Sequence, residues 1–265
     1  MSNEFLLNEI PHKYGPRIHI LNDPFATTLL CELCSPKTIQ PRVNQLVHLL
    51  YGSLLRKVVN RELNLIEVEV PTRMTELHPN KMYRGKVFSP EQRIITVSLA
   101  RAGQLPSQVC YDMLNQLVNP QNVRQDHVHI SRTTDQDHQV TGSHIAGAKI
   151  GGDKEQSLVI FPDPMGATGS TIKTIIDYYQ TKIAGAATRF LALHLIVTPE
   201  YLKQALAVAP NLDIYAFRVD RGLSSDKVLN SVPGTFWNEE RGLNDNQYIV
   251  PGGGGFGEIM NNSFV

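Results

Sequence analysis

The sequence predicts an α/β fold: a parallel sheet flanked by helices. Three observations carry this expectation. Between residues 93 and 219, short apolar runs alternate with helix-period segments in the order strand, helix, strand, strand, helix, strand, helix, strand. The runs "RIITVSLA" (93–100), "SLVIF" (157–161) and "FLALHLIV" (190–197) are apolar enough for burial on both faces. Two of the helical segments, "PSQVCYDMLNQLV" (106–118) and "PEYLKQALAVA" (199–209), open on a proline, which the first turn of a helix tolerates because its N–H has no partner there.

Each element follows from its own pattern. Residues 38–60 place Val43, Leu46, Val47, Leu50, Leu54 and Val58 at helical spacing. "NLIEVEV" (64–70) alternates like a strand, and "RIITVSLA" ends at Arg101-Ala102-Gly103. "HVHI" (127–130) reads as a short strand in which one of His127 and His129 faces the core and the other the solvent. "TIKTIIDYYQTKI" gathers Ile172, Ile175, Ile176, Tyr179 and Ile183 on one side, and "DIYAFRV" (213–219) is a further strand. The two ends of the chain are less regular and are expected to form a smaller subdomain beside the sheet, within one domain spanning 1–265.

Composition narrows the function classes. The 265 residues are 42% apolar and 19% charged, as in an ordinary globular protein. Lys plus Arg and Asp plus Glu number 25 each, a balance that argues against broad electrostatic binding of nucleic acid or anionic membranes. No apolar stretch has the length of a membrane span, and "MSNEFLLNEIPHKYG" lacks the pattern of a signal peptide, so a soluble cytoplasmic protein is expected. Three cysteines are too few for a disulfide scaffold. Cys31 and Cys34 form a CxxC without a second pair to complete a zinc site, and are read as small buried residues near a helix end.

The segment "FPDPMGATGSTI" (161–172) joins an apolar strand to a helix. At the carboxyl end of a strand in an open α/β sheet it lies where ligands bind. Gly166 and Gly169 permit a tight backbone, the helix start offers unpaired N–H groups, and Thr168, Ser170 and Thr171 add hydroxyls, which together suit an anion. Asp163 at the strand end is placed to hold sugar hydroxyls. No Lys follows the glycines, so this is not a Walker loop. Spacing alone leaves a capped strand-to-helix turn equally open.

"LVIFPDPMGATGST" resembles the phosphoribosyl pyrophosphate loop of type I phosphoribosyltransferases, and its "DPMxATG" core is similar to that of uracil phosphoribosyltransferases. The resemblance extends to "VSLARAG" (97–103), "HISRTTD" (129–135), "IVTPEYLKQALAVAPNLDIYAFRVDRGL" and "RGLNDNQYIVPGGGGFGEIM" (241–260). It implies the type I phosphoribosyltransferase fold with a small hood built from the chain ends, residues 221–265 forming the base-binding part. It implies transfer of ribose 5-phosphate from phosphoribosyl pyrophosphate to uracil with Mg²⁺. Ala167, Thr168, Gly169, Ser170 and Thr171 would hold the 5-phosphate, Asp163 the ribose hydroxyls, and Arg101 and Arg132 the pyrophosphate; Asp163, Arg101 and Arg132 form the expected catalytic set. Main-chain groups around Ile249, Gly254 and Phe256 would read the edge of uracil. The resemblance also implies a homodimer or higher homo-oligomer and allows for a nucleotide effector.

The sequence departs from the family at three places. The usual Gly-Asp-x-Gly-Asp of the base loop is Gly254-Gly255-Phe256-Gly257-Glu258, so Gly255 is expected to leave the metal side short of a carboxylate that Glu258, as metal ligand, replaces in part. Gly166 stands where the family usually has a large residue. Arg-Gly-Leu occurs twice, at 221 and 241, bracketing an insertion with the single tryptophan, Trp237, that reads as either a lid or an oligomer contact. With the base-loop Asp lost, a non-catalytic binder of phosphoribosyl pyrophosphate or nucleotide is the alternative.

Overall fold

Local sequence sets each element of the computed structural model, which describes residues 5–134 and 140–264, the side chains of 132–134, 140 and 141 excepted. Strand β1 (Ile18–Ile20) leads to helix α1 (Pro24–Leu33), which starts where Asp23 accepts the Ala26 N–H at 3.2 Å. Helix α2 (Arg42–Glu62) buries the predicted stripe from Val43 to Val58. Strands β2 (Leu65–Val70) and β3 (Tyr83–Phe88) pair only with each other, as an antiparallel hairpin. There follow β4 (Arg93–Ala100), α3 (Gln104–Leu117), β5 (Val123–Thr134), β6 (Val140–Lys149), β7 (Ser157–Pro162), β8 (Met165–Gly166) and α4 (Ser170–Lys182). The chain closes with β9 (Arg189–Val197), α5 (Pro199–Leu206), β10 (Leu212–Val219), α6 (Asp226–Leu229) and α7 (Phe256–Ile259).

The main sheet runs β1-β10-β9-β7-β4-β5-β6, with β8 also paired to β9. Its pairings are parallel except β5 with β6, which is antiparallel. Side chains alternate across it. Leu191, Leu193 and Leu195 of β9 pack against α1, α2 and α3, whereas Phe190 and Ala192 join the second core under α4 and α5. Among the described residues no helix is long and apolar enough to cross a membrane.

Three local readings are corrected. The sequence gave no sign of β6, whose "VTGSHIAGAK" holds two glycines and no apolar run; as an edge strand it need not be apolar on both faces. His127 and His129 are both exposed and flank the buried Val128, because residues two apart on a strand share a face. Cys31 is exposed, on the outer side of α1, and only Cys34 is partly buried. Burial raises the pKa of the Cys34 thiol, which keeps it protonated.

The insertion packs inward. Lys13 N–H donates to Pro233 O at 2.7 Å, and the Trp237 ring meets Tyr14 edge to face and donates from Nε1 to Pro199 O at 3.1 Å. Glu240, only 1% exposed, is the centre. It accepts from Tyr14 Oη (2.6 Å), Arg221 Nη1 (2.9 Å) and the Gly234 N–H (2.7 Å). Arg221 also donates from Nη1 to the carbonyl of Val228 and from Nη2 to those of Leu229 and Ser231. A buried carboxylate with this many donors is well compensated, but losing it strands a buried guanidinium. Glu240→Ala should therefore cost about 3–5 kcal/mol in denaturant unfolding; a loss below about 1 kcal/mol would show that water replaces the carboxylate.

Candidate active site

The chain leaves β4 for β5 on one side and returns to β7 on the other, so a crevice opens at the carboxyl ends of β4 and β7. Arg101 directly follows β4, and Asp163 directly follows β7. The crevice is a cleft of about 570 Å³. It is lined by Arg101, Asp163, Ala167, Thr168, Gly169, Ser170, Thr171, Ile249, Gly254, Phe256 and Glu258, together with His129, His194 and Tyr201. Residues singled out from sequence segments more than 140 positions apart thus line one cleft. Arg132 lies on β5 opposite Ser143; its side chain is outside the described residues.

The loop between β7 and α4 is held from behind. Thr198 N–H donates to Gly166 O at 3.0 Å, and Thr198 Oγ1 donates to Ala167 O at 2.6 Å. In a trans peptide the N–H points opposite to the C=O, so these two bonds turn the Ala167 and Thr168 N–H groups away from Thr198. Gly169 has φ +85°, a left-handed value that suits glycine, and a Cβ there would meet Gln204 Cβ at 2.6 Å. The N-cap of α4, Gly169, has no side chain; Thr168 Oγ1 accepts the Ser170 N–H at 3.3 Å, and the rest of the first turn is available to an anion. The Thr168 and Ser170 hydroxyls sit 3.0 Å apart at that helix start.

The opposite wall is the loop from Ile249 to Gly255. Arg218 and Asp220, at the end of β10, form a two-point ion pair at 2.6 and 2.8 Å. The pair grips one residue of the loop: Gly252 N–H donates to Asp220 Oδ2 at 2.8 Å and Arg218 Nη2 donates to Gly252 O at 2.9 Å. The Phe256 side chain is buried in the core beside α1 and α2. It anchors the loop and leaves its backbone to the cleft. Sequence reasoning missed Thr198, His194, Tyr201, Arg218 and Asp220 as parts of the site. Thr198 before Pro199 was a legible helix start; the others carry no local signal, because their partners are distant in sequence.

The sequence model of the uracil phosphoribosyltransferase family matches residues 20–236. The chain belongs to this family. A uracil phosphoribosyltransferase of Mycoplasma genitalium is 25% identical over 82% of the chain and 84% of its own length. One from Ligilactobacillus salivarius is 26% identical over 76% and 83%. The match to the enzyme of Thermococcus kodakarensis is 29% identical but spans 40% of the chain and 36% of that relative. A solved structure of an Aquifex aeolicus protein shares the fold, with a TM-score of 0.68, 23% identity and coverage of 92% and 97%. The family match stops before the base loop, where this member departs from the uracil phosphoribosyltransferase pattern.

Gly255, expected to leave the metal side short of a carboxylate, sits beside the Glu258 carboxylate. Its φ is −80°, so the backbone does not demand glycine. A Cβ on Gly255 would lie 2.1 Å from Glu258 Oε2, so the Glu258 carboxylate already fills the space in which a side chain at 255 would begin. The other oxygen, Oε1, is 3.5 Å from Arg101 Nη2, and Arg101 Nη1 donates to Ser263 Oγ and O at 2.9 and 3.2 Å. Among the described residues no three His, Cys, Asp or Glu side chains come together as a metal cage. Two carboxylates in a cleft, Asp163 and Glu258, fit the donor set of Mg²⁺, which keeps most of its waters and is carried by substrate phosphates. Gly255→Asp should accordingly lower turnover, since the new carboxylate displaces and repels Glu258, and adding Glu258→Gly should restore it. Kinetics titrated with Mg²⁺ check this; a faster Gly255→Asp single variant would mean that Glu258 does not fill that role.

Proposed function

We propose that the chain transfers the 5-phosphoribosyl group from phosphoribosyl pyrophosphate to N1 of uracil, releasing uridine monophosphate and pyrophosphate in pyrimidine salvage. The observation that carries this reading is the single cleft that unites an uncapped helix start, a hydroxyl-bearing glycine loop, an arginine at the end of β4 and a glycine-rich loop held by its main chain. In this reading the Ala167–Thr171 amides and hydroxyls take the 5-phosphate, and Asp163 accepts from the ribose hydroxyls. Arg101 and Arg132 bind pyrophosphate oxygens, a task that suits the planar guanidinium. The backbone about Ile249, Gly254 and Phe256 reads the donor and acceptor edge of uracil.

The reaction breaks the C1–pyrophosphate bond and forms the C1–N1 bond as N1 of uracil approaches the opposite face, through a sugar with oxocarbenium character, and the N1 proton leaves with the departing pyrophosphate. Such a step needs positioning and charge stabilisation rather than a protein nucleophile. The Asp163 carboxylate lies on the side of the cationic sugar, and arginine faces the charge that accumulates on the leaving group. Mg²⁺, when bound with phosphoribosyl pyrophosphate between Asp163 and Glu258, would supply neutralisation of pyrophosphate charge. A cytoplasmic location is part of the same reading.

Self-association belongs to it as well. The β2–β3 hairpin leaves Ile66, Val70, Met74, Leu77, Tyr83 and Val87 exposed, and Ile66 pairs across the strands with Val87. A two-stranded ribbon with this much bare apolar surface suits a second copy of the chain. Sedimentation should find a dimer or larger species, and Ile66→Glu with Val87→Glu should shift it to monomer; a monomeric wild type ends this part of the reading.

Incubation with uracil, phosphoribosyl pyrophosphate and Mg²⁺ should yield uridine monophosphate and pyrophosphate. Asp163→Asn should slow this about a hundredfold, as loss of one preorganised charge contact does, with the melting temperature kept. If none of uracil, cytosine, hypoxanthine, guanine, adenine and orotate gives a nucleotide, the transferase reading fails, and phosphoribosyl pyrophosphate binding without turnover would support the non-catalytic alternative.

A further inference from the structure

We infer that His194 and Tyr201 are positioning residues for this reaction, aiming Asp163 through its main chain; the inference rests on the site reading above. Strand alternation sends Leu193 and Leu195 to one face of β9 and His194 to the other, towards α5, at the floor of the cleft. The ring is 2% exposed. Nδ1 lies 2.5 Å from Asp163 O, and Nε2 lies 2.5 Å from Tyr201 Oη. A carbonyl only accepts, so Nδ1 carries the ring proton. The neutral ring then offers Nε2 as an acceptor. The chain therefore runs one way: Tyr201 O–H to His194 Nε2, then His194 Nδ1–H to the Asp163 carbonyl.

Tyr201 is itself fixed on three sides. Its N–H donates to Thr198 Oγ1 at 3.0 Å. Its ring meets the His194 ring edge to face, with centroids 4.6 Å apart. It also stands against Gly166, where a Cβ would lie 2.9 Å from Tyr201 Cδ1. Glycine at 166, in place of the large residue usual in the family, is what makes room for the tyrosine. Asp163 is then pinned at both of its main-chain groups, its N–H by Leu193 O at 3.0 Å and its C=O by His194. With both groups fixed, φ and ψ of Asp163 are set, and so is the direction in which its carboxylate leaves the backbone. Neither His194 nitrogen is free to take a proton from substrate, so the role is positioning and not acid–base.

Ribose 5-phosphate, and phosphoribosyl pyrophosphate with Mg²⁺, titrated calorimetrically into the wild type, Tyr201→Phe, His194→Asn and His194→Leu test this beside steady-state kinetics. Tyr201→Phe and His194→Leu should bind ribose 5-phosphate roughly tenfold more weakly and lose roughly tenfold in kcat/KM for phosphoribosyl pyrophosphate, the effect of one buried hydrogen bond, with KM for uracil unchanged. His194→Asn should keep most of the affinity, because its amide N–H stands where Nδ1–H stood. If Tyr201→Phe matches the wild type in binding and rate, or if His194→Asn falls as far as His194→Leu, the inference is overturned. Should His194→Leu fail to fold, Tyr201→Phe decides alone. A wild type that shows these binding differences but makes no nucleotide supports the inference and sinks the transferase reading; one that binds neither ligand sinks both.

Discussion

Two carbonyl groups, those of Gly166 and Ala167, face inward to Thr198, and the shape of the loop between β7 and α4 depends on that. A loop of small residues has many conformations, and most would scatter its N–H groups. Satisfying two consecutive carbonyls from one buried residue removes that freedom, and the planarity of the peptide converts it into aimed donors. Thr198 can do this because it is also the N-cap of α5, fixed by Tyr201 N–H and by the proline after it. The helix behind the loop therefore has a structural end and a functional start at the same residue.

The opposite wall follows a different plan. There the chain is held by charge: Arg218 and Asp220 satisfy each other and Gly252 together, and Glu258 faces Arg101. The carboxylate of the Arg218–Asp220 pair is buried with both oxygens hydrogen-bonded, the condition under which such a pair specifies geometry instead of merely costing desolvation. Both walls are built at the ends of neighbouring strands, β9 and β10, so one register fixes the spacing between them.

What the sequence disclosed tracks the range of the interactions involved. The helical stripe of α2, the apolar strands β4, β7 and β9 and the loop from Asp163 to Thr171 are written in consecutive residues, and all were legible. Edge strand β6 was not, because exposure relaxes the pattern that betrays buried strands. The brace formed by His194 and Tyr201, and the grip of Asp220 on Gly252, pair residues from different segments through the fold, and nothing near either partner announces the other. Gly255 shows the limit best. As a letter it reads as a missing carboxylate; in space it lies against the carboxylate of Glu258.

The bond between Tyr14 and Glu240 joins residues 226 positions apart, and β1 pairs with β10 across almost as long a span. Contacts between residues so far apart in sequence slow folding, because the loop must close before they form. Strand β1 has no neighbour in the sheet until β10 forms, and Tyr14 has no acceptor until the insertion packs. Until then β1 is an unpaired strand with apolar side chains, a surface open to wrong pairing. The insertion thus ends that exposure, tying the β1 edge to a segment more than 200 residues further on.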